Sequence, residues 1–177
     1  KGIKHDGKVR SQFHHVNDIA PTIYDILNIV PPDVVEGFEQ QPHDGISMKY
    51  TFDRPEEKTK KRTQYFEILG SRGIYHDGWF AGTFGPRAPW IVDMSGIMNW
   101  EPEKEVWELY NLEEDYSQSK DLANKYPEKL AELKDLFDKE ATENLVYPIG
   151  ASMYTVFFNP SELPSSPLTE WSFYVGQ

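Results

Sequence analysis

Ile19, Ile23, Ile26, Leu27 and Val30 recur at helical spacing behind Asn17 and Asp18, either of which can cap a helix. Pro21 suits the first turn and Pro31-Pro32 stops the run, so the pattern predicts an amphipathic helix over 17–29. From Pro31 to Arg62 the apolar periodicity gives way to Pro, Gly, Gln and charged residues, ending in the run Arg54–Arg62; this reads as a solvated connection and the best internal boundary. Thr63–Leu69 is rich in aromatic and branched residues and closes at Gly70. Gly73–Phe84 places Asp77-Gly78, a common two-residue hairpin turn, between two short apolar runs. Residues 85–104 hold Gly, Pro, Trp and Met without sustained period, a long loop in which Trp90–Asp93 could form a short strand. Val106–Leu112 alternates with period two, as a half-buried strand does. Tyr126, Leu130, Leu133 and Phe137 then lay one stripe along a second helix, with Pro127 in its first turn and Asp135 placed to pair with Lys139. Residues 145–177 are aromatic and Pro-rich, and Trp171–Val175 reads as a strand.

These elements predict an α+β fold, a small antiparallel sheet of about four strands with a packed C-terminal helix, preceded by one separate helix. The expected division is 1–52, a charged connection 53–62, a subdomain 63–147, and a tail 148–177. At 38% hydrophobic residues and a mean hydropathy of −0.63, the core should be modest. Eighteen basic against twenty-nine acidic side chains leave a charge of −11, which repels a phosphate backbone and argues against nucleic acid and anionic membranes as partners. Without cysteine there is neither a disulfide framework nor a thiol nucleophile, and the redox compartment leaves no mark. No apolar run reaches the length of a bilayer span. A first residue of Lys1, followed by polar Lys4-His5-Asp6, leads us to expect a segment of a longer protein.

Candidate chemistry is sparse. His14, His15 and Asp18 bring imidazole and carboxylate to one helix start, a set that suits zinc or iron, but only His43 and His76 follow downstream. Capping by Asn17 or Asp18 with one buried histidine accounts for the same residues, so no metal site is assigned. His76 beside Asp77 has the composition of a general-base pair, yet neighbouring strand residues point to opposite faces, which favours a hairpin flank. Gly-x-Ser-x-Gly, Gly-x-Gly-x-x-Gly and Walker patterns are all missing from the sequence.

Four segments, in order, resemble the C-terminal part of the type I, formylglycine-dependent arylsulfatases of the alkaline-phosphatase-like superfamily. Phe13–Leu27 is similar to that family's Asp-hydrophobic-x-Pro-Thr helix, and Pro42–Met48 to the Asp-Gly-x-Ser-hydrophobic turn after it. Gly73–Phe80 resembles the family hairpin. Glu108–Leu112, running on to Asp121-Leu122-Ala123, resembles its Leu-Tyr-Asp-Leu strand and following turn, with Tyr116, Gln118 and Asp121 standing where Pro, Glu and Asn are usual. Those departures put a turn-specific hydrogen bond in doubt. The matches cover roughly residues 1–147.

The resemblance implies a parent that hydrolyses sulfate esters with a formylglycine and a calcium ion, both supplied by sequence before Lys1. In this chain catalytic residues, metal ligands and cofactors are none: there is no Cys, and Ser165-Ser-Pro167 has Thr169 where the nucleophile motif requires Arg. The implied partners are the rest of the catalytic domain and a sulfate ester substrate, with a dimer through helix 17–29 as a further expectation. A bacterial parent would imply a periplasmic or secreted location. The loop over 83–100 would face the substrate entrance, with Arg87 meeting anionic or hydroxyl groups and Trp90 stacking on a ring, or else with Trp90 and Trp100 pinning the loop to the sheet. A different class of reading, an independent glycan-binding or protein-interaction module, is motivated by the 14% aromatic content and the strand-like tail.

Overall fold

The computed structural model describes residues 7–68, 70–85, 100–147 and 149. It divides into two compact units between Gln64 and Tyr65, at the start of a strand. The fold is α+β.

In the first unit a 3-10 turn, Val16–Asp18, runs directly into helix α1, Ile19–Leu27. Asp18 caps the turn by accepting the His15 N–H at 3.0 Å. At the other end Asn28 adopts the left-handed conformation (φ 53°) and the Ile29 N–H donates to Tyr24 O, which satisfies a terminal carbonyl before Pro31. Strands β1, Val34–Val35, and β2, Phe38–Glu39, pair antiparallel across Glu36-Gly37, both at positive φ. A single-turn helix α2, Tyr50–Asp53, follows. Within the stretch expected to be a solvated connection, 32–44 are exposed, while Thr51 and Lys61 are buried, the polar groups of 45–61 being bonded to α1 and to the chain before it.

In the second unit four strands run in chain order across one sheet: β3 Thr63–Ile68, β4 Ser71–His76, β5 Trp79–Thr83 and β6 Glu108–Asn111. The Asp77-Gly78 turn has φ of 45° and 84°, the two positive values a tight hairpin needs, and its register sets Ile74 opposite Ala81. Ala81 in turn faces Leu109. Helix α3, Pro127–Glu143, lays Leu133, Phe137 and Ala141 on that row, and Trp107 meets the Phe137 ring edge-on at 5.5 Å. Fully burying side chains of this size contributes about 1.5–3 kcal/mol each. Of the sequence-read pairs, Asp135–Lys139 is replaced by Lys139–Glu143, at 4.0 Å. Trp90–Asp93 and Trp171–Val175 lie outside the described residues.

The turn after β6 is held by a dense set of hydrogen bonds. Asp121 Oδ1 accepts the N–H of both Leu109 and Ala123 at 2.9 Å, Asp115 caps Ser119 and Lys120, and Gln118 takes a φ of 54°. Tyr116 points into solvent.

Candidate functional site

The densest polar constellation lies on one face of α1. Asp18, Thr22 and Asp25 stand at i, i+4 and i+7, and together they read the backbone of residues 46–49. Asp18 Oδ1 accepts the Ile46 N–H at 2.9 Å, Thr22 Oγ1 accepts the Met48 N–H at 2.9 Å, and Asp25 Oδ2 accepts the Ser47 hydroxyl at 2.6 Å. Lys49 Nζ closes the strap on Asp25 Oδ1 at 2.7 Å. Tyr24 packs its ring 5.4 Å from His43. Gly45 is required at the crossing, since a Cβ there would sit 2.0 Å from the Asn17 carbonyl oxygen.

Asp18 is completely buried and fully used. Besides Ile46 it binds the His15 N–H, the ammonium of Lys61 at 2.9 Å, and His14 Nδ1 at 2.9 Å. Burial pushes its carboxyl up, yet the His15 N–H, Lys61, the Ile46 N–H and His14 outweigh burial and hold it at about 2. Because a carboxylate only accepts, His14 carries a proton on Nδ1, and its Nε2 is hydrogen-bonded to the Tyr50 hydroxyl at 3.0 Å. Tyr50 in turn accepts the Lys60 N–H. Arg10 donates to the carbonyls of Thr51 and Phe52, and Gln12 to those of Pro55 and Glu57, so the stretch before the helix is tied to the same strap.

This settles the chemistry of the three residues that tempt a metal reading. His14, His15 and Asp18 do come together, but every lone-pair direction of the carboxylate is filled by an N–H donor, and the cluster is a latch. No group of three or more His, Cys, Asp or Glu able to hold a metal occurs among the described residues. His76 Nε2 lies 3.5 Å from Oδ2 of the next residue, Asp77, at the entry to the hairpin turn. The participants that sequence reading missed are Thr22, Gly45, Tyr50 and Lys61. For Thr22 the signal is the i, i+4, i+7 polar row it shares with Asp18 and Asp25 opposite an apolar one, which on its own reads as a solvent face.

Arg87 and Trp90, the two substrate-side expectations, lie outside the described residues. The ends of their loop are held: the Gly85 N–H donates to Ser71 Oγ at 3.0 Å, and the Trp100 ring covers Gly70 while its indole N–H binds Glu105. Trp79 packs edge-on against Tyr126, and Trp107 lies between Phe137, Arg72 and Lys134. The three described tryptophans are thus all engaged in packing.

No protein-family model matches the chain, and no curated protein matches it. Forty-two chains of solved structures are similar, among them the following three. One is BT33336S-sulf, from work on the metabolism of multiple glycosaminoglycans by Bacteroides thetaiotaomicron (20% identity, TM-score 0.48, 71% of this chain and 24% of that one). The second is BT4656 in complex with its substrate D-glucosamine-2-N,6-O-disulfate (18%, 0.47, 75% and 25%), and the third is Ps i-CgsB (16%, 0.48, 76% and 25%). The chain therefore spans about a quarter of the length of the structures it matches, and at these values of identity and TM-score its function has to be argued from its own residues.

Proposed function

We propose that this chain is the C-terminal part of a sulfatase, a sulfuric ester hydrolase of the type I arylsulfatase kind, and that it serves as scaffold for a catalytic centre carried elsewhere in the parent. The observation that carries the reading is the strap on α1. Residues of the first two segments of the resemblance, Phe13–Leu27 and Pro42–Met48, bind each other across 22 to 28 positions of sequence: Asp18, Thr22 and Asp25 hold the backbone and hydroxyl of Ile46, Ser47 and Met48. A set of residue types shared with the family thereby acquires a physical reason to occur together.

The parent's calcium and formylglycine do not fit the residues of this chain. Asp18, the one carboxylate fully buried among the described residues, has no oxygen to spare for a cation, and a cysteine for formylglycine is lacking. When bound in such a parent those groups supply the nucleophile and the electrostatic stabilisation of the sulfate; this chain supplies the surface that holds a catalytic domain in place. That surface is the other side of α1, where Val16, Ile19, Ile23, Ile26 and Val30 are all exposed. The apolar row wants a large partner, and the preceding part of the parent is that partner. In this reading Arg87 and Trp90 belong to the substrate-side loop.

The experiment is complementation. The pure chain should not turn over a generic aryl sulfate, while the parent polypeptide extended upstream of Lys1 should. Turnover by the 177-residue chain, abolished by a substitution within it, would overturn the proposal.

A further inference from the structure

The face of the sheet turned away from α3 carries a trough that the proposed scaffold role leaves unused. Its floor is a cross-strand pair of glycines, Gly73 opposite Gly82, and a Cβ on either would run into the Phe80 ring, at 2.7 Å from Gly73 and 2.9 Å from Gly82. Phe80 therefore lies down over the backbone, which leaves an aromatic surface lining a cavity of about 260 Å³. Phe66 meets Phe80 edge-on, with ring centroids 6.2 Å apart, and Ile68 and Phe84 extend the apolar wall.

One edge of this apolar cavity is charged. Glu108 stands opposite Gly82 and Tyr110 opposite Phe80, and the Tyr110 hydroxyl donates to Glu108 Oε2 at 2.8 Å. The second carboxylate oxygen accepts no hydrogen bond, and Glu108 has no ion-pair partner, among the described residues. Arg72 contributes to the rim, but its guanidinium is engaged away from the trough, donating to Pro102 O at 2.7 Å and lying over Trp107. The Tyr110 phenol is pushed up to about 12, by burial first and then by the bond and charge of Glu108, with Asp121 and Asp115 adding to the negative field. Aromatic faces and an uncompensated carboxylate both attract positive charge.

We propose that this trough binds a small organic cation, an ammonium group carried on a flat apolar body, with the ammonium against Glu108 and Tyr110 and the body over Phe80. The ligand class is opposite in charge to a sulfate ester, so the trough and the parent's catalytic centre would select different molecules. Failure here also leaves the sulfatase reading untouched.

The test uses three probes with the same body: 2-phenylethylammonium, 2-phenylethanol and phenylacetate, titrated into the 177-residue chain at neutral pH and followed by NMR of the Phe80 and Tyr110 rings. The ammonium should bind about tenfold tighter than the alcohol, and the carboxylate should not bind. Glu108→Gln should bring the ammonium down to the level of the alcohol while leaving the alcohol unchanged. Because Phe80 covers the glycine floor and its truncation threatens the fold, Phe80→Leu serves beside it; with circular dichroism unchanged, this variant should weaken the ammonium and the alcohol alike, since the body and not the ammonium lies over Phe80. Equal affinity for the three probes, no binding of the ammonium by the folded chain, or a preference that survives Glu108→Gln would overturn the proposal.

Discussion

Asp18 receives hydrogen bonds from two backbone amides, one ammonium and one imidazole while excluded from water. Its carboxyl is held at about 2, below the ordinary 3.8, so its contribution is present above pH 4 and is lost as the pH falls toward 2. That difference corresponds to roughly 2 kcal/mol of stability for the first unit, visible as an acid-side fall in its melting temperature that Asp18→Asn should abolish. The same substitution leaves Lys61, also buried, without its anionic partner. Asp18→Asn should therefore cost about 3–5 kcal/mol at neutral pH, and adding Lys61→Met should recover part of it, since removing both charges avoids an unpaired ion in the interior. Additive losses in the double variant would show the two side chains to be independent. At the crossing of strap and helix, Gly45→Ala forces a methyl against the Asn17 carbonyl, backbone on backbone, and should destabilise the unit by roughly 1–3 kcal/mol, measured by urea denaturation.

Helix α1 divides its labour by face, and only one face was legible in the amino-acid sequence. The apolar row at 19, 23, 26 and 30 announces a helix from spacing alone. Asp18 reads as no more than a cap, and Thr22 and Asp25 look like solvent-facing positions, because their partners lie more than twenty residues away and include the backbone amides of Ile46 and Met48, and a backbone donor carries no residue-type signal. Lys61 was hidden for a related reason: within the run Arg54–Arg62 nothing distinguishes the one buried ammonium from its exposed neighbours. The meander and α3 were readable because a period of two, the Asp77-Gly78 turn and the Leu133–Phe137 stripe are local signals. The trough was not: the turn sets Gly73 opposite Gly82, but bringing Glu108 and Tyr110 beside them takes a β5–β6 register across a long connection, which no local pattern fixes. Exposure on the apolar face of α1 carries its own expectation. Ile23→Glu should change the stability of this chain by no more than about 0.5 kcal/mol, because the side chain is half exposed already, yet it should block association with the upstream polypeptide. A helix of nine residues is only about 14 Å long, too little surface for a standard-sized interface by itself, so a broad partner suits it better than a second copy of the same short helix. Sedimentation equilibrium of the wild type and Ile23→Glu separates the two: a wild-type dimer broken by the substitution would assign the face to self-association.

Charge is distributed unevenly over the whole chain. Residues 1–64 hold ten basic and ten acidic side chains, while 65–177 hold eight and nineteen, so the entire excess of −11 falls in the second part. A sulfated polymer approaching that part meets repulsion, and any positive side chain that contacts it has to work against the surrounding field. Arg87 is one of those eight cations, and its proposed place on the substrate side of the parent makes a sharp expectation. Truncating a side chain that touches only remote portions of a substrate weakens binding of large substrates and spares a minimal one. Arg87→Ala and Trp90→Ala in the full-length parent should then lower kcat/KM for the natural polymer by about 10- to 200-fold, the range of a lost contact worth ~1–3 kcal/mol, with the small aryl sulfate nearly unaffected. Salt sharpens the distinction, because a charged contact is screened while a ring contact is not: raising ionic strength should shrink the Arg87→Ala effect and leave that of Trp90→Ala in place. If Trp90 instead pins the loop to the sheet, its replacement lowers the melting temperature and depresses every substrate alike. The deciding quantity is the ratio of kcat/KM for polymer over small ester, and a ratio unchanged in both variants removes the substrate-side role and leaves residues 86–99 as scaffold.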